Sequence, residues 1–270
     1  MTDCKAVIIT VVNQKGGCGK TSTTVNLSHA LSMKGNKVLV IDADRQANSS
    51  ETLGKTPPYE LTQDETIIKL LRDRTANINA LIQPVIMGDK NVDNLFLISS
   101  HPTLQKVYEE KISTVHREKI FSKHLKKLDN SFDFVIIDCP PDVGLGTINS
   151  ILVSDFILVP IDGSTYSADG IADLLDLIEE IKDGENAPMG IFRNEYGKGN
   201  KIINAHLENE MKHVSEYLLK TKISKDQQVA NAEIEKVSVL HKSKGSIAAA
   251  NYKALANELI NHPAITGKAQ

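Results

Sequence analysis

The sequence predicts an α/β fold, a mainly parallel sheet with helices on both faces. Three observations predict it. Several short runs are continuously apolar and β-branched, the pattern of strands buried on both sides. The first two such runs are separated by a glycine-rich loop and a helical segment, which makes a βαβ unit with a parallel pairing. Two of the runs end in aspartate, at the strand edge where open α/β sheets place their ligands.

The elements follow in order. "AVIITVV", Ala6 to Val12, is the first strand. "TSTTVNLSHALSMKG" is a helix ending at Gly35, and "KVLVIDAD" is a second buried strand. The middle, residues 49–127, is less regular. "ETIIKLLRD" and "REKIFSKHLKKL" have helical spacing, "NLFLISS" reads as a strand, and "MGDKNVDN" reads as a loop. "FDFVIIDCPPDVG" and "DFILVPID" give two more buried strands, and "MGIFRN" another. "ADGIADLLDLIEEIK" places Ile171, Leu174, Leu175, Ile178 and Ile181 on one helical face. "IINAHLENEMKHVSEYLL" reads as a helix with a stripe of Ile203, Leu207, Met211, Val214 and Leu218. A last helix spans about Ser246 to Asn261 and stops at Pro263. No repeat or linker interrupts the chain, so one domain over residues 1–263 is expected, with a short tail over 264–270.

Bulk composition narrows the class. The chain has 270 residues, enough to bury an ordinary core without staples. It has no tryptophan and only 4% aromatic residues, so that core is aliphatic. Cys4, Cys18 and Cys139 are odd in number and widely spaced, against a disulfide framework and in favour of a reducing, cytoplasmic setting. The N-terminal segment does not read as a signal peptide, and no apolar run is long enough to span a bilayer. Net charge is −3, but residues 198–270 carry 11 lysines against 7 acids, while the remainder carries 20 bases against 27 acids. That asymmetry points to an anionic partner, or to a helical face of solvated lysines.

The chemistry gathers on "NQKGGCGKTSTT", Asn13 to Thr24. Gly19-Lys20-Thr21 ends like a phosphate-binding loop, yet the usual pattern asks for glycine where Gln14 stands. The loop carries a second lysine, Lys15, instead. Gly16, Gly17 and Gly19 permit the backbone to cradle phosphate oxygens at a helix N-terminus. Lys20 can reach the β- and γ-phosphates and the Thr21 hydroxyl can ligate Mg²⁺. Cys18 and Ser22 complete the stretch expected to line the nucleotide. Asp42 and Asp44 end the second strand; Asp42 suits a structural or metal-shell role, and Asp44 suits activation of a water. Asp138 ends "VIID" and fits a Mg²⁺-holding carboxylate. Cys18 and Cys139 fit small buried thiols better than a metal or redox pair.

Lys15-Gly16-Gly17-Cys18-Gly19-Lys20-Thr21, Asp42-Ala43-Asp44 and Asp138-Cys139-Pro140-Pro141 resemble the deviant Walker A, Walker A′ and Walker B motifs of the ParA/Soj partition ATPases. "LVPIDGSTYSADGIADLL" and "GSIAAANYKALANELI" also resemble that family, so the likeness covers nearly the whole chain. It implies a P-loop ATPase that uses ATP and Mg²⁺ and forms a homodimer bridged by ATP, with Lys15 crossing to the partner's phosphates. It implies that Lys20 binds phosphate, that Thr21 and Asp138 serve Mg²⁺, that Asp44 sets the water, and that Asn194 contacts the base. It further implies non-specific binding of double-stranded DNA, a ParB-like activator and a nucleoid-associated place in the cytoplasm.

Two features depart from the family. Arg45 stands where relatives usually have proline. The segment matching the family's DNA-contacting arginines holds lysines, among them Lys222, Lys225, Lys236, Lys242 and Lys244. Lysines suit sequence-independent phosphate contact, and Lys222, Lys225, Lys242 and Lys244 are the DNA-binding candidates. A MinD-like ATPase acting at a membrane or on a scaffold is the main alternative. It would need a basic amphipathic C-terminal helix, whereas the sequence closes on "INHPAITGKAQ", so no membrane partner is expected. An iron–sulfur reductase would need two suitable cysteines, for which Cys4 and Cys18 are poorly placed beside Cys139.

Overall fold

Eight strands form a single sheet in the order β3-β4-β2-β5-β1-β6-β7-β8 in the computed structural model. It describes residues 6–111, 114–162, 168–184, 187–197 and 199–267, so Cys4 and part of the family-like segment at 163–167 lie outside the described residues. The strands are β1 (Val7–Val11), β2 (Val38–Asp42), β3 (Gln83–Met87), β4 (Lys90–Ile98), β5 (Phe134–Asp138), β6 (Phe156–Ile161), β7 (Met189–Tyr196) and β8 (Leu218–Ser224). All neighbouring pairs are parallel except β3 with β4. Every residue of β1, β2, β5 and β6 is buried, which is why these strands read as unbroken apolar runs.

Helices cover both faces. Helices α1 (Lys20–Ser32) and α2 (Asn48–Leu53) lie on one side; α3 (Ile67–Arg72), α4 (Leu104–Glu110), α5 (Ile120–Leu125), α6 (Leu145–Val153), α7 (Ala168–Ile181) and α8 (Lys201–Glu210) cover the other. Helices α9 (Gln227–Ile234), α10 (Val239–Lys242), α11 (Ile247–Ile260) and α12 (Pro263–Thr266) return to the face of α1. Alternation along β1 feeds both cores: Ile8 points into one, and Val7, Ile9 and Val11 into the other.

Three expectations need correction. "MGDKNVDN" is mostly strand: β3 and β4 form an antiparallel edge hairpin around Gly88 and Asp89. Its polar residues face solvent, and Pro84 is tolerated because β3 is an edge. The helix drawn through Leu218 ends at Glu210, and a 3-10 turn over Met211–Tyr217 follows, with Val214 off helical geometry. Leu218 opens β8, an edge strand missing from the sequence reading. Leu207, Met211 and Val214 do reach the core, whereas the side chain of Ile203 lies outside the described residues. Along α7, Ile171, Leu174 and Ile178 are buried and Leu175 and Ile181 are half-buried, as the spacing predicts.

Helix α11 starts on Ser246, whose side chain accepts from the Ala249 N–H. Beyond it Pro263 sits at the first turn of α12, and Ile265 is buried against the α1-side core. No helix among the described residues is long and apolar enough to cross a membrane.

Candidate nucleotide site

Strand β1 lies between β5 and β6, so the loop after Val11 emerges at the centre of the sheet's C-terminal edge. Local bonds fix that loop. The Asn13 amide donates to the Pro160 carbonyl at 2.9 Å, and its oxygen accepts from the Lys15 N–H at 3.0 Å. The Lys15 carbonyl accepts from Lys20 Nζ at 2.9 Å and from Cys18 Sγ at 3.3 Å. Across the cleft, the Asn194 amide donates to the Cys18 carbonyl at 3.0 Å. Gly19 has φ 91°, and a Cβ on it would stand 2.0 Å from Asn194 Nδ2. Glycine is required there by backbone angle and by space alike. As the N-cap of α1, Gly19 offers no side-chain cap, which leaves the first-turn N–H groups for an anion.

The two lysines differ in environment. Lys20 is buried and tied to the loop that it closes. Lys15 stands at the lip, its ammonium 3.3 Å from both carboxylate oxygens of Asp162, with 35% of its side chain exposed. Asp162 follows β6 and was not singled out in the sequence, although it continues the pattern of a buried strand running into an acid.

Three carboxylates gather at the ends of β2 and β5. Asp42 and Asp138 are register partners on the adjacent strands, and both are fully buried. Asp42 accepts from the Asp44 N–H at 3.1 Å, from the Ser50 N–H at 2.8 Å and from the Ser50 hydroxyl at 2.7 Å. It braces the loop before α2, the first of the two roles, structural or metal-shell, weighed for it. Burial, with the neighbouring Asp138 adding to it, pushes the Asp42 carboxyl well above the usual range. Asp138 Oδ2 accepts from the Ser49 hydroxyl at 2.6 Å, while its Oδ1 is buried with no hydrogen-bond partner. Burial raises its pKa to about 6, against the lowering effect of the Ser49 and Thr21 hydroxyls and Lys20. Asp44 accepts from the Gln46 N–H at 2.9 Å; burial raises its carboxyl too, while Lys20 and Arg45 hold it down.

An orphaned carboxylate oxygen beside a threonine hydroxyl is a hard, oxygen-only donor set, which fits Mg²⁺ with phosphate and water completing its shell. The same orphan makes a prediction. Asp138 has a raised folded pKa, so its folded form holds a proton that the unfolded form has lost above about pH 4. Its contribution to stability therefore falls as pH rises from about 4 through 6, by roughly 2–3 kcal/mol. Thermal melts of the metal-free protein should show Asp138→Asn gaining on the wild type between pH 4.5 and 7.5. A constant difference between the two across that range would contradict a buried Asp138 with a raised pKa.

A cavity of about 680 Å³ opens beside the loop, a volume that suits a nucleotide. Gly16, Gly17, Gly19, Lys20, Thr21 and Ser22 form one wall, with Asp44 and Asn194 also lining it. Cys18 is buried behind the wall, and Lys15 and Asp138 stand outside the lining. The far wall was not foreseen. It comes from residues 223–227, the end of β8 and the turn into α9, with Val229 and Glu233 on α9 and Tyr252 on α11. Since only the first residues of β8 were drawn, as the end of a helix, and the rest was given no element, its C-terminal edge could not be recognised as a ligand edge. Asp226 braces this wall, accepting from the Gln228 N–H at 3.0 Å and the Ala248 N–H at 3.1 Å. Glu233 accepts from the Ser22 hydroxyl, and Lys236 pairs with Glu51 across the rim.

The four DNA-binding candidates do not share one face. Lys222 on β8 lies over the Tyr196 ring at 4.8 Å and 3.5 Å from Glu208. Lys225 pairs with Glu195 at 3.3 Å and lines the cavity. Lys242 pairs with Glu235, and Lys244 is exposed in the turn between α10 and α11. Cys18 and Cys139 are free and buried, as expected, and burial pushes the Cys139 thiol up to about 12.

A glycine cradle, a buried lysine at the start of the following helix and strand-end acids on a parallel sheet define a P-loop nucleotide-binding protein of the deviant Walker type. The family model described as "AAA domain" matches residues 6–191. The chain is 32% identical over 184 residues to the sporulation initiation inhibitor protein Soj of Bacillus subtilis, covering 68% of this chain and 69% of that one. It belongs to this family, the ParA/Soj-type ATPases of the MinD/ParA superfamily. Solved structures share the fold. A putative plasmid partition protein from Borrelia burgdorferi bound to AMPPNP superposes with a TM-score of 0.78 at 23% identity, over 94% of this chain and 98% of that one. Cobyrinic acid a,c-diamide synthase from Mycobacterium smegmatis with bound ATP analog and magnesium gives 0.76 at 24% identity, over 95% of each.

Proposed function

We propose that the protein is an ATP-dependent switch ATPase of DNA partitioning, which dimerises around ATP, binds DNA non-specifically in that state and releases it on hydrolysis. A ParB-like partner stimulates the hydrolysis. The observation that carries the reading is Lys15: a second P-loop lysine at the lip of the cavity, 35% of its side chain exposed and its ammonium paired with Asp162.

Each residue has a part. The Gly16–Gly19 backbone and the α1 N-terminus hold the phosphates. Lys20 exchanges the Lys15 carbonyl for phosphate oxygens. Thr21 and Asp138 would hold Mg²⁺, which would supply neutralisation of phosphate charge. Asp44 orients the attacking water and takes its proton, a role favoured by a carboxyl raised above its ordinary pKa. Asn194 holds the loop and lines the cavity at the nucleoside side. Lys15 leaves Asp162 and meets the γ-phosphate of the partner's ATP, offsetting charge in the transition state. Hydrolysis removes the phosphate that Lys15 grips and loosens the dimer.

DNA retention tests the reading. With a non-hydrolysable ATP analogue the protein should bind duplex DNA of any sequence, and binding should fall steeply between 50 and 200 mM salt, by roughly 10³-fold for about six phosphate contacts. Binding indifferent to nucleotide and salt would contradict it.

A further inference from the structure

A strongly basic surface lies apart from the C-terminal lysines. The segment 116–127, "HREKIFSKHLKK", holds Arg117, Lys119, Lys123, Lys126 and Lys127 against the single acid Glu118. The fold curls it into a concavity of about 280 Å³ lined by Arg74, His116, Lys119, Lys123 and Lys126. All five are exposed. The Arg74 guanidinium is fixed by donating to the Val115 carbonyl at 2.7 Å, and Glu118 lies 3.9 Å from His116. Among the described residues, Lys119, Lys123 and Lys126 make no ion pair. Lys222, Lys225 and Lys242, in contrast, each face a carboxylate of their own chain.

We infer that this concave face is a docking surface for the phosphodiester backbone of duplex DNA, an inference that rests on the DNA reading above. Four permanent cations around one hollow, without paired carboxylates on the lysines, create a field that folding alone does not require. Like charges held together raise the energy of the free protein, and a polyanion relieves that repulsion. Phosphate oxygens are the matching chemistry, since lysine contacts carry no base preference. A lipid surface fits less well: Ile120, Phe121 and Leu125 of α5 are turned into the core, leaving Val115 as the exposed large apolar side chain beside the hollow. The hollow lies on the α3–α8 face of the sheet, whereas Val239 and Leu240 seat α10, and with it Lys242, on the opposite face. The two basic regions can therefore be tested separately.

The full chain, loaded with a non-hydrolysable ATP analogue and Mg²⁺, is titrated with a short duplex at several salt concentrations. Three proteins are compared with the wild type: Lys119→Gln/Lys123→Gln/Lys126→Gln, the same three changed to arginine, and Lys242→Gln/Lys244→Gln. The glutamine triple should lower the magnitude of the log–log salt slope by about 2–3, at about 0.9 per lost phosphate contact. Its DNA-free ATP turnover and melting temperature should stay as in the wild type, and the arginine triple should keep the wild-type slope. A glutamine triple with wild-type slope and affinity, beside a wild type that binds DNA, overturns this surface and leaves the DNA reading standing. A wild type that binds no duplex overturns both. Retention on phosphatidylserine vesicles but not on DNA assigns the hollow to lipid and also overturns the proposal.

Discussion

Lys15→Ala should still bind ATP but lose ATP-driven dimerisation and about 10³-fold or more in stimulated turnover, an effect of about 4 kcal/mol on the barrier. The size follows from what the ammonium does. In the free chain it is held at 3.3 Å by Asp162 at the lip, outside the lining of the cavity. Removing it therefore leaves the cradle, Lys20 and Thr21 intact, and nucleotide affinity in the monomer should change little. A cation delivered across a dimer acts where charge develops, and its loss appears in the chemical step. Equilibrium binding of a fluorescent ATP analogue, set beside single-turnover hydrolysis, separates the two effects. Unchanged turnover would remove Lys15 from the mechanism.

Asp44→Asn should do the reverse: the ATP-bound dimer persists while hydrolysis falls by about 10²–10⁴. Asparagine keeps an oxygen for the Gln46 N–H, so the loop after β2 retains its bond. What disappears is the acceptor for a proton from water. The carboxyl is buried and raised in pKa, with Lys20 near enough to lower it, so it belongs electrostatically to the phosphate site. The variant should accumulate as dimer on ATP itself, where the wild type needs a non-hydrolysable analogue. A variant that turns over ATP normally would move the water-setting role to another group.

How far the sequence carried the fold depended on where each element sits in the sheet. β1, β2, β5 and β6 are buried on both faces, and such strands announce themselves as apolar runs. β3, the exposed start of β4, and β8 lie at or near the edges; their polar residues meet solvent, and "KNVDN" and "LLKTKIS" carry no unbroken apolar signal. The phosphate side of the site was legible because glycine, lysine, threonine and aspartate have few other reasons to stand at strand ends. The opposite wall was not, since Ile223, Val229 and Tyr252 supply shape and no distinctive chemistry. Asp162 was missed for a different reason. Its importance lies in its contact with Lys15, 147 residues away, which only the parallel pairing of β1 and β6 creates.

The central claim is that ATP joins two copies of this chain through Lys15. Light scattering coupled to size-exclusion chromatography measures that directly, on the wild type and Lys15→Ala, each with ADP and with a non-hydrolysable ATP analogue and Mg²⁺. The wild type should show a mass near 29.6 kDa with ADP and twice that with the analogue, and the variant the single-chain mass throughout. A wild type that stays at the single-chain mass with the analogue, or a Lys15→Ala protein that dimerises as readily, would contradict it.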